Sequence, residues 1–165
     1  MSSRAHKIQF EELYQQYHPM VLQMCRGYMK GHEELAKDLA QEVFINVWNA
    51  LPGFKGNSSH KTWIYRITVN SCLNYLRNKK EQANIPIETI EQNHTDDSQP
   101  LESEIAKLYA AIGLLPEIDR LIIMMVLNEI DYDEIAQVMG VSSGNLRVRI
   151  HRIKKNLKNH LNNAN

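Results

Sequence analysis

The chain of 165 residues has room for one ordinary domain or two small ones. Hydrophobic residues make up 43% and charged residues 23%, a globular composition that excludes a wholly disordered chain. The longest apolar run, residues 121–127, is far shorter than the roughly 20 residues of a membrane-spanning helix. Residues 1–10 have no signal-like apolar segment, and Cys25 and Cys72 are the only cysteines, so we expect a cytoplasmic protein.

Charge is segregated along the chain, although the formal net charge is zero. Residues 1–80 carry a net charge of +5, residues 81–105 of −7, and residues 106–165 of +2. Residues 142–165 contain six basic residues and no acidic one. Two basic blocks joined by an acidic segment indicate two modules and an anionic partner, although a solvated linker between ordinary helical surfaces would have the same composition.

Helical periodicity dominates the first 80 residues. Apolar side chains recur at spacings of three and four over residues 10–28, which predicts an amphipathic helix with a possible bend near Pro19. The same pattern predicts a second helix over residues 32–51 and a third over residues 61–80. Three helices of this length can bury one modest core.

Residues 81–103 are polar, acidic and without periodicity, which predicts a flexible linker that contains the domain boundary. Beyond it, apolar spacing predicts a helix that ends near Leu115, and Pro116 suits the first turn of the next helix. A short helix over residues 132–139 and a last helix over residues 143–161 complete the second module.

Residues 131–150 are typical of a helix-turn-helix motif. Ala136 is small enough for two helices to cross closely, and Gly140 allows the positive φ of the turn. Ser142 is placed to cap the second helix, and Val141 is predicted to fill the angle between the helices. An αα-hairpin with a basic solvated face is the competing interpretation.

Two weaker patterns lie in the first module. Residues 61–66 interleave basic and aromatic side chains after a Gly/Asn/Ser loop, which suits stacking on unpaired bases but suits a structural role equally well. A polar stripe that includes Asp38 and Glu42 follows an otherwise apolar helix, as in a protein-docking surface or a solvated face. No catalytic or metal-ligating constellation is recognisable, so neither an enzyme, a metal site nor a cofactor is expected.

Several motifs resemble those of a known family, in the family's order. Residues 10–14, 36–48, 61–70 and 74–77 resemble region 2 of an extracytoplasmic-function RNA polymerase sigma factor, and residues 115–157 resemble region 4. The resemblance implies an all-α protein of two small helical domains, a region 2 bundle and a region 4 helix-turn-helix, joined by a flexible acidic linker. We expect region 2 at residues 1–80, the linker at 81–103 and region 4 at 104–165.

The family implies a transcription initiation factor rather than an enzyme. It would bind the β and β′ subunits of core polymerase, recognise the −35 and −10 promoter elements, and promote melting. The resemblance also implies an anti-sigma factor as partner, and we expect a monomer when free. The alternative is a stand-alone helix-turn-helix repressor or activator that binds palindromic DNA as a homodimer.

The resemblance assigns three sets of residues. Core polymerase would contact Asp38, Leu39, Gln41, Glu42, Phe44 and Asn46. The −10 element would contact Asn57, Ser58, Lys61, Trp63, Tyr65, Arg66, Asn70 and Arg77. The −35 element would contact Ser143, Asn145, Arg147, Arg149, Arg152 and Lys155.

Two arginines of the last set cannot both point at bases. Arg147 and Arg149 are two positions apart, about 200° around a helix. From the sequence we predict that Asn145, Arg149 and Arg152 form the face that reads bases, and that Arg147 holds a phosphate at one edge.

Overall fold

The computed structural model describes residues 3–83 and 100–163, and all regular structure in these ranges is helical. None of the described helices is both long and apolar enough to cross a membrane. The elements are α1 (Ser3–Tyr28), α2 (Glu33–Ala50), a 3-10 turn (Leu51–Gly53), α3 (His60–Ala83), α4 (Pro100–Gly113), α5 (Glu117–Leu127), α6 (Tyr132–Met139) and α7 (Ser143–Asn163). The predicted all-α fold is confirmed.

The boundaries of the acidic segment differ from the prediction. Helix α3 continues to Ala83 and α4 already begins at Pro100, so both predicted ends of the linker lie inside helices. The remainder, residues 84–99, lies outside the described residues. The helix ends thus overlap the expected linker by three residues at one end and four at the other, because polar helix ends lack the apolar period that marks a helix in a sequence.

The first three helices form a bundle whose ends are set by local hydrogen bonds. His32 caps α2, since its Nδ1 accepts a hydrogen bond of 3.2 Å from the Leu35 amide. Ser59 Oγ accepts a 3.1 Å bond from the Thr62 amide at the start of α3. Pro19 lies within α1, which continues through it. The fully buried core of the bundle includes Val21, Met24, Leu39, Val43 and Ile64.

The helix-turn-helix forms as the sequence predicts, with one exception. Gly140 has φ 70° at the end of α6, and Ser142 Oγ accepts a 3.2 Å bond from the Asn145 amide at the start of α7. Ala136 is buried between the helices. Val141 was expected to fill the angle between them, but it is 46% exposed, so that prediction is wrong. The buried side chains that hold the two helices together are Ile135, Leu146 and Ile150.

The two modules pack directly on each other, which the sequence did not predict. Helix α1 lies against α4 and α5, and α3 lies against α6. Gly27 lacks a side chain where Met124 of α5 fills the space. Arg120 is buried in the same contact, where its Nε donates a 3.0 Å bond to the Tyr28 carbonyl and its Nη1 a 2.7 Å bond to that of Leu115. The hydrophobic core is consequently continuous between the modules.

Candidate nucleic-acid and partner-binding surfaces

Helix α7 has one buried face, and this face determines which residues point outward. Leu146, Ile150, Ile153 and Leu157 are all less than 10% exposed. At 100° per residue, the direction opposite these four positions is centred near position 148. Asn145 and Arg152 lie on the same side of that direction, about 60° and 40° from position 148, and both are exposed.

One flank of α7 is fixed by a salt bridge. The Nε of Arg149 donates a 2.7 Å hydrogen bond to the Oδ1 of Asp119 on α5. Asp119 is buried at 5% exposure, so the bond compensates a carboxylate that has left water. The Arg149 side chain is therefore held against α5, although its position on the helix is only about 40° from Asn145 and 60° from Arg152.

The opposite flank of α7 is organised around Tyr132. The Cζ of Arg147 lies 5.3 Å from the centre of the Tyr132 ring, and Lys154 Nζ donates a 3.0 Å bond to its hydroxyl. Both cations therefore lie along the edge of the helix, beside α6. This position agrees with the prediction that Arg147 holds a phosphate rather than a base, a role that stays a prediction.

Of the remaining residues predicted to contact the −35 element, one is hydrogen-bonded within the domain and three are exposed to solvent. Ser143 is half-buried and its Oγ donates a 2.8 Å bond to Asp133 on α6. Asn145, Arg152 and Lys155 are exposed, and in the described part of the chain their side chains have no hydrogen-bond partner. These three side chains are available to a ligand without any rearrangement of the domain.

The predicted −10 residues occupy both exposed and covered sides of α3 and its preceding loop. The exposed or half-buried members are Asn57, Ser58, Lys61, Trp63, Arg66, Asn70 and Arg77. Tyr65 differs, since it is only 2% exposed, and burial raises its pKa to about 12. Arg66 also reaches the second module, where its Nη2 lies 3.5 Å from the Gln137 carbonyl of α6. Direct contact of Tyr65 with DNA is therefore unavailable in this arrangement, because the packing of α3 on the second module covers it.

An aromatic cluster marks the start of α3. The Phe54 ring centre lies 4.7 Å from that of His60 and 4.8 Å from that of Trp63. Phe54 and Trp63 are half-buried, so each presents part of its ring to solvent. The cluster rigidifies the loop of residues 54–60 and places two aromatic surfaces beside the exposed Lys61.

The residues of α2 that were predicted to bind polymerase include both exposed and buried side chains. Asp38, Gln41 and Glu42 are exposed, as the docking prediction requires. Leu39 is fully buried and Phe44 is 3% exposed, so both serve the core. Asn46 points to α3, where its Nδ2 donates a 2.9 Å bond to Ser71 Oγ. Positions 39 and 44 lie on the apolar stripe of α2, whereas positions 38, 41 and 42 lie beside it.

The structure adds a groove between α1 and α2 that was not predicted. Its volume is about 500 Å³, and the side chains that line it include those of Phe10, Tyr14, Phe44 and Trp48. The His6 ring stacks on Trp48 with a centre-to-centre distance of 4.1 Å. In the sequence, Trp48 continues the apolar stripe of Ala40 and Phe44 on α2, but only the packing of α1 makes this stripe one wall of a groove.

Comparison with known proteins identifies the family. The family model described as Sigma-70 region 2 matches residues 13–82, and the model described as Sigma-70, region 4 matches residues 105–157. The RNA polymerase sigma factor YlaC of Bacillus subtilis is 30% identical, with 94% of each chain covered. The ECF RNA polymerase sigma-E factor of Escherichia coli is 32% identical over 74% of this chain and 71% of its own.

Solved structures show the same fold. The sigma factor RpoE in complex with the anti-sigma factor NepR, from Bartonella quintana, has a TM-score of 0.76 at 18% identity, with 93% of this chain and 97% of that chain covered. CnrH in complex with the cytosolic domain of CnrY has a TM-score of 0.71 at 19% identity, with 96% and 91% covered. The fold and its helix-turn-helix surface define a two-domain transcription initiation factor. The chain belongs to the extracytoplasmic-function sigma factors of RNA polymerase.

Proposed function

We propose that this sigma factor binds core RNA polymerase through region 2 and directs initiation at promoters whose −35 element is read by α7. The observation that carries this proposal is the outward face of α7, where Asn145, Arg152 and Lys155 are exposed and unengaged on a capped helix-turn-helix. Asn and Arg are the side chains that read adenine and guanine in the major groove, and Lys155 suits a backbone phosphate. Arg149 then acts as a positioning residue, through its bond to Asp119.

The −10 element is assigned to α3 and the loop before it. The partly exposed rings of Phe54 and Trp63 supply stacking surfaces for unpaired bases, and Lys61 lies beside them for phosphate. Asn70 and Arg77 are exposed further along the helix, on the path of a melted strand. Tyr65 joins this set only if region 4 moves away from α3, since it is covered in the packed arrangement.

Core polymerase is assigned to the outer side of α2 and the adjoining groove. Asp38 and Glu42 carry two carboxylates one helical turn apart, with no salt bridge to either in the described ranges. Beside them, Tyr14 and Trp48 expose 41% and 37% of their surface. Acidic side chains beside exposed aromatic rings suit a partner helix with basic and apolar side chains, which we assign to the β and β′ subunits.

An anti-sigma factor is the second proposed partner. Of the two solved structures described above, one is a sigma factor in complex with the anti-sigma factor NepR, and the other is CnrH in complex with the cytosolic domain of CnrY. By analogy we propose that an anti-sigma factor competes with polymerase for this chain.

The test combines binding and transcription. Purified protein is mixed with core polymerase on a sizing column, and the complex is then used for in vitro transcription from a promoter library with randomised −35 and −10 elements. We expect comigration as a 1:1 complex and selection of one promoter class. Tight binding of the free protein to a palindrome as a dimer, without polymerase, would replace this proposal with the repressor alternative.

A further inference from the structure

An apolar side chain stands at the centre of the outward face of α7. Val148 is 71% exposed, the highest value among the large hydrophobic side chains that the structure describes. It lies almost opposite the buried residues Leu146 and Ile150, so no rotation of its side chain brings it to the core. Single exposed apolar side chains are common on protein surfaces, so the meaning of this isopropyl group depends on its neighbours on the helix.

The surroundings of Val148 indicate what kind of ligand this is. Asn145 is three positions before it and Arg152 four positions after it, so the three side chains are neighbours on one helix face. Gly144 adds no side chain, and a Cβ placed there would meet no atom within 4 Å. Residues 142–165 contain six basic residues and no acidic one. An open, strongly cationic surface of this kind suits a polyanion rather than the apolar pocket of a protein.

We propose that Val148 reads the C5-methyl group of a thymine in the −35 element, beside an adenine read by Asn145. This inference rests on the proposed function of α7. The thymine methyl is the only apolar group that bases present in the major groove, and small apolar side chains recognise it by contact. Asn pairs with the N6 and N7 atoms of adenine, so adjacent Asn145 and Val148 side chains predict an adenine and a thymine at neighbouring base pairs.

The neighbouring arginines support the central position of Val148. Arg149 is held by Asp119 on one flank, and Arg147 lies against Tyr132 on the other. Neither arginine therefore occupies the centre of the outward face. A helix inserted along this axis brings position 148 deepest, with Asn145 and Arg152 together on one side of it.

The experiment removes one methyl group from the DNA at a time. The −35 sequence is first selected from a randomised library with the wild-type holoenzyme, and each thymine is then replaced singly by deoxyuridine, which differs only by the methyl. We expect one position at which deoxyuridine lowers the initiation rate by about fourfold, the worth of one buried methyl or methylene group. With Val148→Ala holoenzyme, which lacks both γ-methyl groups, the same replacement is expected to cause a clearly smaller loss at that position.

Val141→Ala is the matched control. It makes the same substitution at a side chain that is 46% exposed in the turn before α7, and it is expected to keep the wild-type discrimination. Far-UV circular dichroism and melting temperature should be unchanged in both variants, because both side chains are exposed.

Three outcomes contradict the inference in distinguishable ways. If wild-type holoenzyme tolerates deoxyuridine at every position, or if Val148→Ala keeps the discrimination, the methyl contact is refuted while promoter-specific initiation stands. If core polymerase and this protein select no promoter at all, the proposed function fails, and the assignment of Val148 fails with it.

Discussion

The Nε atom of Arg149 lies 2.7 Å from the Oδ1 atom of Asp119, and this bond ties the recognition helix α7 to α5. Asp119 is 5% exposed, so removal of Arg149 would leave its carboxylate largely out of water and without a cationic partner. The buried face of α7 determines which of its side chains point outward, and this bond adds a second attachment on one flank.

Arg149→Ala is expected to destabilise the protein by about 1–3 kcal/mol, the usual cost of leaving a buried polar or charged group unpaired. Its effect on transcription should be a similar loss at every promoter, because a loosened helix weakens all contacts together. Arg152→Ala removes an exposed guanidinium, so we expect unchanged stability and relaxed preference at one −35 position. Thermal denaturation and promoter selection on the two variants provide the measurement. A changed −35 preference in Arg149→Ala, with only lower activity in Arg152→Ala, would restore the face predicted from the sequence.

Only some features of the recognition helix α7 could be predicted from the sequence. Its start, its capping Ser142 and its buried Leu146 and Ile150 follow from local rules, because capping and apolar spacing depend on neighbouring residues. The orientation of Arg149 depends on Asp119, thirty positions earlier. No local pattern predicts that pairing, so the sequence could not show that Arg149 is engaged within the domain.

The packing of the two modules on each other could not be predicted from the sequence either. Each module's helices were predictable from periodicity, but Gly27 and Met124 are unremarkable in the sequence and meet only in the folded chain. Tyr65 was predicted to contact DNA because aromatic and basic residues alternate around it, and the packing of α3 on the second module buries it. Long-range packing thus overrides a surface prediction that local composition favours.

The docking surface on α2 is tested by charge reversal. Asp38→Arg and Glu42→Arg should each weaken binding to core polymerase by about tenfold or more, because like charges now meet at an interface that was complementary. Both side chains are exposed, so helical content and melting temperature should not change. Affinity is measured by titration of core polymerase with fluorescently labelled protein.

Glu12→Arg is the control for charge reversal. It makes the same change at an exposed position of α1 that lies away from the groove, and it is expected to bind polymerase as the wild type does. Wild-type affinity in both α2 variants would refute the docking assignment. Equal loss in all three variants would indicate a general charge effect instead.

The packing between the modules is tested by placing a bulky side chain at Gly27. A Cβ at this position would overlap the Cγ and Sδ atoms of Met124, so Gly27→Leu is expected to force α1 and α5 apart. We expect a larger radius of gyration in small-angle X-ray scattering with unchanged far-UV circular dichroism, because the helices of each module remain intact. Gly53→Leu is the control, since a Cβ there meets nothing within 4 Å. Identical scattering of Gly27→Leu and the wild type would show that the modules do not separate at this contact.

The buried phenol of Tyr65 predicts how stability changes at alkaline pH. Burial disfavours the phenolate and raises the pKa of Tyr65 to about 12, against about 10 in an unfolded chain. Between these two values the unfolded state has lost the proton while the folded state keeps it, so the free energy of unfolding falls as pH rises. The stabilisation that the protonated Tyr65 phenol gives the folded state is fully present below pH 10, and about 2 kcal/mol of it is lost by pH 12.

Tyr65→Phe removes the titrating group while keeping the ring that fills the space, which isolates this effect from the titration of other residues. We expect the difference in unfolding free energy between wild type and Tyr65→Phe to be constant up to about pH 9.5, and the variant to gain relative stability above it. Urea denaturation followed by circular dichroism at closely spaced pH values measures the difference. Parallel curves up to pH 11.5 would mean that Tyr65 ionises normally, and hence that region 4 does not cover it in solution. Because the burial of Tyr65 depends on the contact between α3 and the second module, the opened variant Gly27→Leu should show a weaker alkaline dependence than the wild type.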